Sequence, residues 1–151
     1  MASRLLFLCT GNFYRSRFAE VLFNHRAAES MLTWVADSRG LATEQVLDGW
    51  GPMAPFAIDA LAERGIYLAE PRLPRSVTEA DMRAADRVIA LKEAEHRPLL
   101  AERLPGWEDR VTYWHIDDVD GAEPEIALSM IDAQVSALIE EFADALALAG
   151  R

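Results

Sequence analysis

The sequence predicts an α/β fold in which a parallel sheet carries helices on both faces. Three observations point there. Short apolar runs rich in β-branched and aromatic residues alternate with segments of helical period. The first run, Leu5-Leu6-Phe7-Leu8, passes through Cys9 and a Gly-Asn turn straight into a helical pattern. Cys9, Ser38, Lys92, Asp117 and Asp118 all fall at or just after the ends of strand-like runs, and ligands bind outside the carboxyl ends of strands in such sheets.

Each element has its own warrant. Residues 4–9 form a continuous apolar run ended by a turn, as a buried strand does. Residues 15–30 are expected to be helical, with Phe18, Val21, Leu22 and His25 recurring at three and four. Residues 32–37 read as a second strand, from which Ser38-Arg39-Gly40 turns away. A loop over 41–52 ends at Gly49-Trp50-Gly51-Pro52. Residues 53–64 read as a helix stopped by Gly65.

Pro71 and Pro74 punctuate the next segment. Thr78, with Asp81 three residues later, is placed to cap a helix. Arg87 to Leu91 is the clearest third strand. Glu93 to Leu104 reads as helix, with Pro98 expected to divide it. Val111 to Ile116 is a fourth strand and 117–121 a loop. Glu123-Pro124-Glu125 opens a last helix with acids at its positive end. That helix runs to about Ala149, with Ile126, Met130, Ile131, Val135, Leu138, Ile139, Phe142 and Leu146 expected on its buried side.

At 151 residues, with 51% hydrophobic and 26% charged side chains, the chain is expected to form one domain over 1–151 with a substantial core. The formal net charge of −10 argues against a general nucleic-acid binder, because no basic stripe exists to displace counterions. An anionic ligand must therefore be attracted locally. One cysteine forms no internal disulfide and suits a reducing compartment. The start of the chain lacks a signal-peptide core, and no run reaches membrane-spanning length. A cytoplasmic location with no membrane partner is the expectation.

The stretch Cys9-Thr10-Gly11-Asn12-Phe13-Tyr14-Arg15-Ser16 carries the chemistry. A tight loop between strand and helix gathers backbone N–H groups, and the helix adds its positive end. An oxyanion is expected there above a thiolate, the reactive form of cysteine. Arg15 offers a planar fork for two oxygens of a phosphate-like group. Gly11 permits close backbone approach. Asn12 tolerates left-handed geometry and can brace the loop. Ser16 is placed to hydrogen-bond the sulfur or to cap the helix. His25, His96 and His115 show no metal-ligand spacing, and Glu95 with His96 reads as a helix surface.

Cys9 to Ser16, followed by Arg17-Phe18-Ala19-Glu20, resembles the low-molecular-weight protein tyrosine phosphatase family: Cys-x5-Arg-Ser with Gly-Asn inside and Ala-Glu beyond. The resemblance extends through Ser38-Arg39-Gly40, Pro52 to Gly65, Ala85 to Ile89 and Trp114 to Asp118. It implies a flavodoxin-like sheet of four parallel strands and neither metal nor organic cofactor. It also implies a general acid, usually the Asp of an Asp-Pro pair. Measured from Trp114, Asp118 stands at that place, with Asp117 as runner-up and Asp120 third. Val119 replaces the proline. Tyr14 replaces a second cysteine found in many members, so no loop disulfide is available. Phe13 and Trp50 are candidates to line a phenyl pocket.

The resemblance thus implies phosphomonoester hydrolysis through a Cys9 thiophosphate, with Arg15 holding the phosphoryl oxygens and Asp118 protonating the leaving group. Thr10, Gly11, Asn12, Phe13, Tyr14, Ser16 and Trp50 would bind substrate, with Ser38 and Asp117 in support. The partner would be a phosphotyrosine protein or a small aryl phosphate, with inorganic phosphate as a loop ligand. Two alternatives are an arsenate reductase using an external thiol and a phosphotyrosine-binding module with a weak acid.

Overall fold

The computed structural model describes residues 2–118 and 123–150. Strands β1 (Ser3–Cys9), β2 (Trp34–Gly40), β3 (Arg87–Ala90) and β4 (Thr112–Tyr113) form one parallel sheet in the order β2-β1-β3-β4. Helices α1 (Arg15–Glu29), α2 (Pro55–Glu63), α3 (Glu79–Ala84), α4 (Glu93–Arg103) and α5 (Pro124–Ala149) accompany it.

β1 is the spine. Its side chains alternate between two cores, as the period of a strand requires. Leu5, Phe7 and Cys9 join one cluster with Phe18, Leu22 and Phe23 of α1 and Ile131, Val135 and Phe142 of α5. Leu6 and Leu8 join the other with Met82 of α3, Val88 of β3 and Leu100 of α4. A strand buried on both faces needs an unbroken apolar run, and β1 has one. Each fully buried large side chain contributes roughly 1.5–3 kcal/mol by leaving water. From β1 the chain moves to β2 on one side and later to β3 on the other. The loop after Cys9 therefore lies where the strand order reverses, the position at which open parallel sheets bind ligands.

Several boundaries differ from expectation for physical reasons. β2 continues through Ser38-Arg39-Gly40, because Gly40 pairs with Cys9 and Ser38 with Phe7. A Cβ on Gly40 would lie 3.0 Å from the Thr10 carbonyl oxygen and 2.6 Å from Thr43, so the close approach of β2 to the loop requires glycine. β4 is two residues long; beyond it His115 is exposed and forms only an isolated bridge with Lys92. Pro98 does not divide α4; its missing N–H costs the single bond to the Ala94 carbonyl, near the start of the helix. His25 lies outside the buried stripe of α1 and pairs with Glu29 at 3.5 Å.

The capping box at α3 is complete, with Thr78 and Asp81 each bonding the other's backbone N–H, which satisfies two orphan donors of the first turn. On α5 the stripe Ala127, Leu128, Ile131, Val135, Leu138, Ile139 and Phe142 is buried, while Ile126, Met130 and Leu146 are exposed, against expectation. α5 packs chiefly on α1, so one narrow stripe is covered. Asp132 of α5 receives both Arg26 of α1, at 2.6 Å, and Arg64 just beyond α2, at 2.7 Å. Among the described residues no helix is long and apolar enough to cross a membrane.

Candidate active site

The loop between β1 and α1 is shaped by where its carbonyls go. The Cys9 and Thr10 carbonyls accept from Leu41 N–H (2.9 Å) and Ala42 N–H (2.7 Å), and the Phe13 carbonyl from Ala54 N–H (2.9 Å). The Asn12 carbonyl accepts from the Arg17 guanidinium at 3.3 Å. Anchored outward by these bonds, the loop leaves the N–H groups of Gly11, Phe13 and Tyr14 without an acceptor among the described residues. Tyr14 stands at the N-cap of α1 with no side-chain cap. Uncapped amides at a helix N-terminus are an anion-binding arrangement.

Cys9 is buried beneath the loop. Its Sγ accepts from Asn12 N–H at 3.2 Å and shares a hydrogen bond of 2.9 Å with Ser16 Oγ. Asn12 holds φ at 54°, a left-handed conformation that asparagine tolerates better than most residues. Its amide nitrogen donates to Ser16 Oγ (2.8 Å) and Ser38 Oγ (2.9 Å), and its oxygen accepts from Arg72 (3.0 Å) and Arg75 N–H (3.0 Å). Ser38 in turn donates to Glu20 at 2.7 Å. Arg17 is buried against the Pro52 and Arg72 carbonyls; burial and the neighbouring Arg72 charge bring its guanidinium down to about 10 despite Glu20.

Arg15 is 2% exposed. Its Nη2 reaches Glu95 Oε2 at 2.6 Å and Asp118 Oδ2 at 3.4 Å, and its Nη1 donates to the Ile116 carbonyl at 3.0 Å. Burial opposes its charge, but the Cys9 sulfur, Glu95 and Asp118 outweigh it and hold the guanidinium above its ordinary value. Burial likewise works against the Glu95 carboxylate. Hydrogen bonds from His96, Arg15 and Thr10, with the Arg15 charge, nevertheless keep it well below the usual carboxylate range.

The residues at the end of β4 meet this loop. Asp118 lines a cavity of about 320 Å³ together with Cys9, Phe13, Arg15, Trp50 and Phe56. Asp117 turns its carboxylate to Lys92 and its carbonyl to the Tyr14 hydroxyl, which donates at 3.3 Å. Tyr14 is buried, its ring edge-on to Phe56 at 4.9 Å, and burial raises its phenol above the ordinary value. Phe13 and the half-exposed Trp50 lie 5.7 Å apart at the rim. Asp120 and Val119 lie outside the described residues. A wider groove of about 820 Å³ opens at the amino end of β3, and Cys9 does not line it.

The site thus unites Cys9, Thr10, Gly11, Phe13, Tyr14, Arg15, Trp50 and Asp118 around one cavity, with Asn12, Ser16 and Ser38 beneath. Glu95 and His96 correct the expectation of a helix surface: His96 is fully buried and both meet the loop. Arg72 and Glu20 also complete the loop's support. The signal for Glu95 and His96 was their place in the first turn of a helix at the carboxyl end of a strand, the side on which ligands bind.

A sulfur nucleophile, a cradle of amides, a buried arginine and a carboxylate across the cavity are the parts of a cysteine-dependent phosphatase. The chain belongs to the low molecular weight phosphotyrosine protein phosphatase family, whose model matches residues 4–147; it is an enzyme of the phosphatase class. It is 33% identical over 107 residues to a protein-arginine-phosphatase of Bacillus subtilis, a match covering 71% of this chain and 67% of the relative. It is 31% identical over 97 residues to the low molecular weight phosphotyrosine protein phosphatase of Sus scrofa, covering 63% and 58%. A crystal structure of a low molecular weight protein tyrosine phosphatase from T. tengcongensis superposes with a TM-score of 0.74 at 26% identity, over 95% of this chain and 99% of that one.

Proposed function

We propose that the protein hydrolyses aryl phosphomonoesters, phosphotyrosine among them, through a Cys9 thiophosphate. One observation carries this reading: Cys9 and Asp118 line one small cavity whose wall also includes four aromatic residues, Phe13, Tyr14, Trp50 and Phe56. The Cys9 thiolate attacks phosphorus in line with the ester oxygen. A sulfur–phosphorus bond forms as the phosphorus–oxygen bond breaks, and Asp118 gives its proton to the departing phenolate. The loop amides and Arg15 hold the three equatorial oxygens as charge spreads over them. Asp118 then takes a proton from the water that attacks phosphorus. The sulfur leaves as thiolate, received by Asn12 N–H and Ser16.

Phe13, Trp50 and Phe56 favour a flat, apolar leaving group. A phosphoarginine side chain instead presents guanidinium N–H groups that call for carboxylate partners. Among the described lining residues the cavity supplies Asp118 alone, and Asp118 already faces Arg15. The protein is therefore expected to release phosphate from p-nitrophenyl phosphate and phosphotyrosine peptides far faster than from phosphoarginine peptides, with vanadate inhibition. Cys9→Ser is expected to abolish turnover and keep phosphate binding. Full turnover by Cys9→Ser would sink the mechanism, and faster phosphoarginine turnover would reverse the substrate assignment.

A further inference from the structure

Four donors converge on the carboxylate of Glu95. Arg15 sends Nη2 to Oε2 at 2.6 Å and Nη1 to Oε1 at 3.3 Å. The Thr10 hydroxyl donates to Oε2, and His96 Nε2 lies 3.0 Å from the same oxygen. His96 is fully buried, and its Nδ1 accepts from Lys92 N–H at 2.9 Å. The proton of the neutral ring therefore sits on Nε2, pointing at Glu95 and Thr10. The Lys92 backbone sets the tautomer, the ring holds the carboxylate, and the carboxylate holds the arginine.

The consequence follows from the shape of guanidinium. Its five N–H groups form two usable edges. Glu95 takes the Nη1/Nη2 edge and the Ile116 carbonyl takes another Nη1 hydrogen. The other edge, Nε with Nη2, is the one an arriving anion would meet, displacing the Asp118 Oδ2 that lies 3.4 Å from Nη2. Two oxygens of a tetrahedral or trigonal-bipyramidal anion match that edge. Thr10, adjacent to the nucleophile in the chain, is fixed by the same carboxylate.

We propose that Glu95, backed by His96, is a positioning residue that fixes the face Arg15 presents to the phosphoryl group. This inference rests on the phosphatase reading above. Glu95 itself meets no loop amide, so its effect passes through Arg15 and Thr10.

The test compares wild type with Glu95→Ala, Glu95→Gln and Glu95→Asp, using p-nitrophenyl phosphate turnover and calorimetric titration with vanadate and with inorganic phosphate. A misdirected arginine costs most where charge on the transferring group is greatest. Glu95→Ala is expected to lower kcat about tenfold to a hundredfold, with KM changed less than about threefold. Vanadate, the transition-state mimic, is expected to lose affinity by a similar factor and phosphate by much less. Glu95→Asp restores part of both losses. Glu95→Gln keeps the side chain's shape and guards against misfolding of the alanine variant. Unchanged kcat and vanadate affinity in both Ala and Gln variants with unchanged thermal midpoints overturns the proposal, as does increased activity, which would make Glu95 a competitor of the substrate. If wild type itself shows no Cys9-dependent turnover, the phosphatase reading fails, and the ratio of vanadate to phosphate affinities still decides the role of Glu95.

Discussion

The Tyr14 hydroxyl donates to the Asp117 carbonyl oxygen at 3.3 Å, joining residues 103 apart in sequence. Arg15, the next residue, donates to the Ile116 carbonyl at 3.0 Å. Two consecutive residues of the loop thus grip two consecutive carbonyls of the segment that leads to Asp118. In a chain with Val119 where the proline of an Asp-Pro pair is expected, this grip ties the residues just before Asp118 to the loop. Tyr14→Phe keeps the ring packed on Phe56 and removes the bond. It is expected to cost about 0.5–1.5 kcal/mol of stability and to slow aryl phosphates with poor leaving groups roughly tenfold. Alkylation of Cys9 by iodoacetate should proceed at the wild-type rate. Equal slowing of good and poor leaving groups would show that Tyr14 does not act through the acid.

Asp117 and Asp118 are separable. Asp118→Asn is expected to lower kcat by about 10²–10⁴-fold for poor leaving groups and much less for p-nitrophenolate. Asp117→Asn weakens the half-buried contact with Lys92, and its effect should stay within roughly fivefold. Leaving-group plots for the two variants distinguish them, and a steeper dependence in Asp117→Asn would exchange the assignments.

Asn12 spends its whole side chain on the loop and holds φ at 54°. Asn12→Ala removes one bond each from Ser16, Ser38 and Arg72, takes the acceptor from Arg75 N–H, and places an alanine in left-handed geometry. The expected loss is about 2–4 kcal/mol, read from urea midpoints, together with weaker phosphate binding. A midpoint equal to wild type would show that β1 and α1 alone hold the loop.

Acid should act in two stages. Burial lowers the folded-state value of His96 below its ordinary 6.5 despite Glu95. Glu95 and Asp132 are held below their ordinary 4.5 and 3.8, Asp132 by Arg26 first and then Arg64, against burial. All three groups bind more protons unfolded than folded within their windows, so stability rises with pH. The His96 contribution is complete above about 6.5 and is lost as pH falls through its folded value. Those of Glu95 and Asp132 begin to fade below about 4.5 and 3.8. Urea midpoints should decline gently below pH 6.5 and more steeply below 4.5, and His96→Gln should flatten the first limb. An unchanged first limb in that variant would remove His96 from the account.

The loop from Cys9 to Ser16 was legible because it is contiguous: its spacing states its chemistry before any folding is considered. The layers were legible because β1 is a plain apolar run and the helices carry periodic stripes. Glu95 and His96 were not, because polar residues opening a helix look like a solvated face, and only the pairing of β3 with β1 turns that end toward Cys9. Ser38 to Gly40 read as a turn because small polar residues suit turns; in the fold they are strand, since Gly40 alone allows β2 to approach the loop. Ile126, Met130 and Leu146 continue an apolar pattern, yet α1 and α2 cover only one side of α5.

The grip of Tyr14 on Asp117 has a further consequence for a chain made from its amino end. Cys9 leaves the ribosome about 100 residues before the segment that closes over it, and β3, its neighbour on one side, follows β2 by some 50 residues. At 5–20 residues per second, that interval lasts about 5–20 s. During synthesis the single thiol of the sequence, 2% exposed once folded, therefore stays open to solvent until that segment arrives.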